Sequence, residues 1–331
     1  MRVNSISGAV LLLVWFSPIG KLLAQQAQNA PCDIPLVATS FNSSSRAVEL
    51  ANDLSIQNFE VKLDGVPEQL ESATIDNGPK RVALILDASK NIPRDEWKLE
   101  TKMAARLLEH ARPGDRFTIF FVGMDSQENP VLPPSEARER LKMLGASRPA
   151  VPDSGERVYD TLLAAAGGFN PPQFGDVLFL FGHPEDSGSK ADVDQLLEMI
   201  LRSRLRFYGV SFTDPLQDKL PAGYNPNNPL PANVRIPRLV EVGMASGYNV
   251  YFHSVQMLNL PGQTALFEGF LGDLYRGIAE PYRVRIARLL AQGPMKLEIT
   301  VKNIGSRRIN LDDIHYPRSI YSCTTTSLAA Q

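Results

Sequence analysis

The sequence predicts an α/β protein with a mostly parallel central sheet, helices on both faces of that sheet, and a small flanking antiparallel β unit. Short apolar runs are the first observation, and they are typical of strands buried on both faces: residues 82–86, 117–122, 177–181 and 207–212. Amphipathic segments alternate with these runs, as parallel crossover units require. The third observation is an alternation of apolar and polar side chains, which indicates half-exposed antiparallel strands: residues 59–63, 282–286 and 296–302.

The helices of the α/β part are predicted between its strands. Pro93 and Asp95 suit the first turn of a helix that ends near Arg112. Later segments with helical spacing follow in order: residues 135–138, 155–169, 190–204, 239–242 and 264–280. A further strand is expected at residues 249–252. Five prolines in residues 213–234 exclude a regular element there.

The chain divides into five predicted segments. Residues 1–24 have a basic start and an apolar run, which indicates a removed signal peptide, with an uncleaved anchor as the alternative. Residues 25–45 are polar, and we expect them to be extended or mobile. Residues 46–79 form an N-terminal β extension, and residues 80–256 form the α/β domain. Residues 257–331 supply a helix and β strands that pack with the N-terminal extension.

Composition bounds the partners of the protein. Of its 331 residues, 44% are hydrophobic and 21% are charged, which is ordinary for a globular protein. The net charge of −2 and the lack of a basic patch predict no nucleic-acid binding. The two cysteines, Cys32 and Cys323, are predicted to form a disulfide if the protein is exported. Two free thiols in the chain ends are the alternative.

The apolar run that starts at Val82 ends in Asp87, and ligand sites of open α/β sheets lie at that carboxyl edge. Ser89 and Asn91 follow at alternate positions, so one short loop offers three oxygen-bearing side chains. Such ligands suit Mg²⁺ or Ca²⁺. The alternative is that Asp87 only caps the loop by accepting hydrogen bonds from backbone amides.

Residues 81–91 resemble the first strand and the Asp-x-Ser-x-Ser loop of von Willebrand factor A (VWA) domains, with Asn91 in place of the second serine. Residues 53–87 are similar to a longer pattern of the exported bacterial VWFA-related Acidobacteria-type family, in which a β extension leads into the metal-site strand. The resemblance implies a Rossmann-like fold and a secreted or periplasmic protein of the bacterial cell envelope. It also implies protein binding or adhesion at a metal-ion-dependent adhesion site (MIDAS), with no membrane span after signal removal.

The resemblance implies a degenerate metal site. In VWA domains a threonine of a second loop and an aspartate after a middle strand complete the ligands. Glu156 occupies the threonine position here, and Gly182 occupies the aspartate position. The candidate ligands for Mg²⁺ or Ca²⁺ are therefore the following residues: Asp87, Ser89, Asn91 and Glu156.

Three further residues are predicted at the rim of the site: His183, Glu185 and Asp186. The four histidines are scattered without a His-x-x-x-His pair, so a zinc centre is not expected. The sequence has no Gly-x-Ser-x-Gly elbow and no phosphate-binding loop, so we expect a binding protein that is not an enzyme. The alternatives are an envelope scaffold with no ligand at that edge and a hydrolase that uses the rim carboxylates.

Overall fold

The structure is a computed structural model that describes only part of the chain. The described residues are 32–42, 47–124, 129–150, 156–212, 237–248, 250–252, 258, 262–287, 293–302 and 314–321. The predicted signal peptide, the proline-rich insertion at 213–234 and Cys323 lie outside these residues. Among the described residues no helix is long and apolar enough to cross a membrane.

The elements follow one another in chain order. The strands are β1 (Cys32–Asn42), β2 (Ala47–Leu50), β3 (Phe59–Leu63), β4 (Val66–Glu68), β5 (Leu70–Ile75), β6 (Arg81–Leu86), β7 (Arg116–Phe121), β8 (Val177–Phe181), β9 (Arg206–Ser211), β10 (Val250–Phe252), β11 (Tyr282–Ile286), β12 (Met295–Val301), β13 (Ile314–His315) and β14 (Ser319–Ile320). The α-helices are α1 (Arg94–Leu107), α2 (Pro134–Ala146), α3 (Val158–Gly167), α4 (Val193–Ser203), α5 (Arg238–Ala245) and α6 (Gln263–Ala279). Single turns of 3₁₀ helix lie at Ile56–Asn58 and Leu108–His110.

A five-stranded parallel sheet forms the centre of the α/β domain, in the order β10-β9-β8-β6-β7. Alternate residues of β6 point to opposite faces, so Leu84 and Leu86 join the core with α1, α2 and α6. Ala83 and Ile85 join the opposite core with α3, α4 and α5. Because both faces are covered, the apolar runs have no polar side. The predicted α/β fold class is confirmed.

The strand order places a crevice at the end of β6. The chain passes from β6 to β7 on one side of the sheet and then crosses to β8 on the other side. The register aligns Leu86 with Phe121 and with Phe181, so these three strands end at the same edge. Open α/β sheets bind ligands where neighbouring connections leave in opposite directions. Residues directly after β6 and β8 occupy that position here.

The flanking unit consists of two antiparallel sheets that share one core. One sheet has the order β13-β1-β11-β5 with β2 paired to β1, and the other has the order β14-β12-β3-β4. Buried apolar residues of both sheets pack together, including Leu36 and Val284 from the first sheet and Val61 and Ile299 from the second. The prediction that the C-terminal strands pair with those before Arg81 is confirmed, because β11 pairs with β5 and β12 pairs with β3.

The structure adds detail to two of the predicted segments. Residues 25–45 were predicted to be extended or mobile, and within them β1 pairs with β11 from Cys32 onward and buries Ile34 and Leu36. Helix α6, in the segment 257–331, was predicted to pack with the N-terminal extension. It contacts β2 of that extension and also packs in the core of the central sheet, where its apolar stripe buries Phe267 and Leu271.

The buried Arg206 joins the central sheet to α6. Its side chain is fully buried at the start of β9 and donates hydrogen bonds to the carbonyl oxygens of Gly175, Gly277 and Ile278 at 2.7, 3.1 and 2.8 Å, respectively. The last carbonyls of a helix have no partner within the helix and carry partial negative charge. A cation at this position therefore fixes the end of α6 on the sheet.

Replacing this cation is expected to destabilise the fold. Arg206→Leu leaves buried carbonyls without donors, and we expect the free energy of unfolding to fall by about 3 kcal/mol or more. Arg276→Leu is the matched control, because Arg276 is exposed on α6 and pairs with Asp273, an interaction of about 0.5 kcal/mol. Urea unfolding of both variants measures the difference. Equal losses of unfolding free energy in the two variants would contradict the role of Arg206 in fixing the end of α6.

Candidate functional site

Asp87 follows β6 and is fully buried. Its N–H donates to the carbonyl oxygen of Phe181 at 3.0 Å, which joins it to the end of β8. Its Oδ1 accepts the N–H of Ser89 at 3.0 Å, a local turn of the kind that aspartate favours. Its Oδ2 is buried and has no hydrogen-bond partner. Capping of the loop thus accounts for one carboxylate oxygen and leaves the other oxygen unexplained.

Gly182 is required by the close approach of β8 to Asp87. Its φ of +148° is one that side chains disfavour, and a Cβ at this position would lie 2.4 Å from the Cβ of Asp87. The position that carries aspartate in the resembling family therefore has no room for a side chain here. This contact gives a physical reason for the departure from the family pattern.

Glu156 is buried and is held in place by the loop that follows β8. Its carbonyl oxygen accepts the N–H groups of Ser187 and Gly188 at 3.1 and 3.0 Å, and its own N–H donates to the Ser187 hydroxyl at 3.3 Å. The exposed side chain of Asn91 donates from Nδ2 to Glu156 Oε1 at 3.2 Å. The first and second loops of the predicted site are thus joined directly.

The structure brings three titratable groups together at the crevice. Ligand atoms of Asp87, Glu156 and His183 all lie within 4.8 Å of one another. Ser89 belongs to the same loop, and its hydroxyl oxygen is buried without a hydrogen-bond partner. Arg148 holds this loop from α2's side by donating to the carbonyl oxygens of Ser89 and Ile92 at 3.1 and 2.7 Å.

His183 is paired with a residue that sequence reasoning missed. Its Nε2 lies 2.9 Å from Oε1 of Glu96, a buried residue in the first turn of α1. Burial lowers the pKa of His183, but the hydrogen bond and charge of Glu96, together with the charges of Asp87 and Glu156, outweigh it. The net effect raises the pKa of His183 above its ordinary value.

Glu100 is a second missed residue, one helical turn after Glu96. It is fully buried, and neither of its carboxylate oxygens has a hydrogen-bond partner. Desolvation, followed by the neighbouring charges of Asp87 and Glu96, raises the pKa of Glu100 well above its ordinary value. The signal was present in the sequence, because Glu96 and Glu100 lie on the same helical stripe as Met103 and Leu107.

The remaining rim residues have other roles or positions. Asp186 was predicted at the binding rim, but its Oδ1 accepts the N–H groups of Val158 and Tyr159 at 2.7 and 3.3 Å and so caps the start of α3. The role of Asp186 at the binding rim stays a prediction. Glu185 is exposed and lies outside the group of Asp87, Glu156 and His183.

Cys32 is disulfide-bonded in the structure. It lies at the start of β1, opposite Ile286 of β11. Cys323 lies outside the described residues, so its pairing with Cys32 stays a prediction.

Comparison with known proteins gives structural likenesses only. No protein-family model matches the chain, and no curated protein matches it. A von Willebrand factor type A protein from Catenulispora acidiphila is 9% identical with a TM-score of 0.44, over 81% of this chain and 74% of that one. Proximal thread matrix protein 1 from the mussel byssus is 11% identical with a TM-score of 0.44, over 65% of this chain and 50% of that one.

Human COPII-coat protein Sec24c is 10% identical with a TM-score of 0.41, over 73% of this chain. The chain spans only 43% of the Sec24c chain, as it spans half of the mussel chain. A further crystal structure of the mussel protein is described as having a zinc-occupied MIDAS motif. At these identities the likenesses concern the fold alone.

The domain has the α/β arrangement that the sequence resemblance implies. Its parallel sheet, its helices on both faces and its Asp87 loop at the carboxyl edge have the expected arrangement. The narrower resemblance to the Acidobacteria-type family has no match and stays a prediction.

The contact at Gly182 generates a stability prediction. Gly182→Ala places a methyl group against Asp87 and forces an unfavourable φ, so we expect a loss of about 2 kcal/mol or more. Gly269→Ala is the control, because the structure shows open space around that residue in the middle of α6. Alanine should there be neutral or add up to about 1 kcal/mol of stability. Thermal unfolding of both variants checks this pair, and a tolerated Gly182→Ala would contradict the geometry.

Glu100 predicts a specific pH dependence of stability. The pKa of Glu100 is raised in the folded state. The contribution of Glu100 to folding stability is therefore fully present below the unfolded-state pKa and is lost as pH rises through the folded-state pKa. Glu100→Gln cannot ionise, so its melting temperature relative to the native chain should increase as pH is raised from 5 to 8. The measurement uses chelator-treated protein. Glu136→Gln, at an exposed position of α2, should follow the native curve, and parallel curves for Glu100→Gln would refute the prediction.

Proposed function

We propose that this protein binds another protein through the carboxyl edge of its central sheet, at a divalent cation held by Asp87 and Glu156. The observation that carries the proposal is the Oδ2 atom of Asp87, which is buried without a hydrogen-bond partner. Burying an ionised oxygen without a partner is costly, and a bound cation removes that cost. Glu156 supplies a second carboxylate, and Ser89 supplies a hydroxyl on the same loop.

The chain's own residues prepare the cation site. The hydrogen bond from Ser89 N–H orients the Asp87 carboxylate, and Asn91 orients Glu156. A divalent cation at this position offers an open coordination position to an acidic side chain of the partner. The site lies in loops at the end of a rigid sheet, which is where binding residues are commonly placed.

A cleft beside the site offers a second contact for the partner. It has a volume of about 510 Å³ and lies between α3 and the edge strand β7. Phe120, Leu163 and Ala164 give it apolar walls, and Arg157 and Lys190 contribute positive charge. We propose that an apolar side chain of the partner enters this cleft while its acidic group binds the cation.

We further propose that the protein is exported and works in the bacterial envelope as a binding protein or adhesin, without enzymatic activity. The disulfide-bonded Cys32 supports export, because disulfides persist in oxidising compartments. The signal peptide at residues 1–24 supports it from the sequence. An envelope scaffold and a carboxylate hydrolase are the alternative functions. The variants Asp87→Ala and Asp95→Ala distinguish them from metal-dependent protein binding.

The test compares Asp87→Ala with Asp95→Ala, whose carboxylate is 89% exposed near the start of α1. A partner captured from the host envelope by the native chain should bind Asp87→Ala at least about tenfold more weakly, as after chelation. Asp95→Ala should bind as the native chain does. Partner binding that is unchanged by both Asp87→Ala and chelation would favour the envelope scaffold. Substrate turnover that is lost with Asp87→Ala would favour the hydrolase.

A further inference from the structure

The pairing of His183 with Glu96 sets this site apart from one built of oxygen ligands alone. The Nε2–Oε1 distance is 2.9 Å, and the side chains are 21% and 6% exposed, respectively. We propose that His183 is a nitrogen ligand and Glu96 its positioning residue, so that the site selects a zinc-class transition ion over Mg²⁺ and Ca²⁺. This inference rests on the cation site of the proposed function and names the class of ion that the site takes.

The donor set determines the choice of ion. Mg²⁺ and Ca²⁺ bind oxygen ligands, whereas imidazole suits zinc and its neighbours in the first transition row. Asp87, Glu156 and His183 together offer two carboxylates and one imidazole. Three protein ligands with one open position are the pattern of zinc sites that bind a further molecule. The partner's acidic group then occupies the open position.

The distances allow such an ion with small side-chain movements. Two ligands at about 2.1 Å from a tetrahedral zinc ion lie about 3.4 Å apart. The ligand atoms of the three residues lie within 4.8 Å of one another in the structure. Asp87 Oδ2 is buried and has no hydrogen-bond partner, so it is available to such an ion. We expect rotations of the side chains to close the remaining distance.

Glu96 fixes which ring nitrogen of His183 faces the ion. A histidine that binds a metal commonly donates its other ring N–H to a carboxylate, which sets the tautomer and the ring orientation. With Nε2 held by Glu96, the ion would be bound through Nδ1. Glu96 is buried on α1, and it contacts the site from the helix side instead of from the three loops of the VWA pattern.

The test is metal binding to the chelator-treated full-length chain, measured by calorimetry with Zn²⁺, Mg²⁺ and Ca²⁺ separately. We expect Zn²⁺ to bind at least about 100-fold more tightly than Mg²⁺ or Ca²⁺. His183→Gln keeps the side-chain volume and should reduce zinc affinity by about 100-fold, whereas Glu96→Gln should reduce it by about tenfold to 100-fold. His110→Ala removes an exposed histidine at the end of α1 and should leave zinc affinity unchanged.

The absorption spectrum of bound Co²⁺ separates a ligand from a merely structural residue. We expect the visible bands of the Co²⁺-loaded native chain to shift with His183→Gln and to persist, at lower affinity, with Glu96→Gln. Melting temperatures in chelator show whether each variant is folded, and His183→Ala serves as a second variant if His183→Gln does not fold.

The two proposals fail in distinguishable ways. Tighter binding of Mg²⁺ or Ca²⁺ than Zn²⁺, lost with Asp87→Ala, would overturn the zinc-class assignment and leave the proposed function intact. The zinc-class assignment would also be overturned if His183→Gln changed neither the zinc affinity nor the Co²⁺ spectrum. An absence of binding by all three ions, with partner binding indifferent to chelation, would overturn both proposals.

Discussion

The parallel pairing of β6 with β8 is the constraint on which the candidate site depends. It fixes the backbone of Asp87 against Phe181 and brings Gly182 into contact with the Asp87 side chain. Because β6 is covered by helices on both faces, the carboxylate at its end is buried among the loops at the sheet edge. Glu156 and His183 are the groups that those loops place beside it. The register of β6 against β8 thus determines which ionisable side chains lie together at the sheet edge.

Much of the fold was predictable, because its signals are local. The unbroken apolar runs of β6 and β8 indicate double burial, and the alternation in β3, β11 and β12 indicates half-exposed antiparallel strands. The packing partners of an amphipathic helix are not a local property, so the sequence of α6 alone does not predict its place in the central core. β1 was not predicted, because the polar composition of residues 25–45 obscures the apolar run from Ile34 to Ala38 that the strand buries.

The candidate site was predictable residue by residue but not as an arrangement. Asp87, Glu156 and His183 were each singled out from loop positions, yet the pairing of His183 with Glu96 depends on how α1 packs over the sheet. Acidic side chains on an apolar stripe are informative in this respect. Glu96 and Glu100 lie where a core residue is expected, and their burial beside Asp87 places three carboxyl groups in a space of low dielectric, which raises the pKa of Glu100.

The links between the α/β domain and the flanking sheets are short. Only residues 76–80 separate β5 from β6, and only residues 280–281 separate α6 from β11. Asp76, at the first link, is paired with both Lys80 and Arg283. Two such connections leave little freedom for a hinge. A tensile load applied at the carboxyl edge would therefore pass through β6 directly into the flanking sheets.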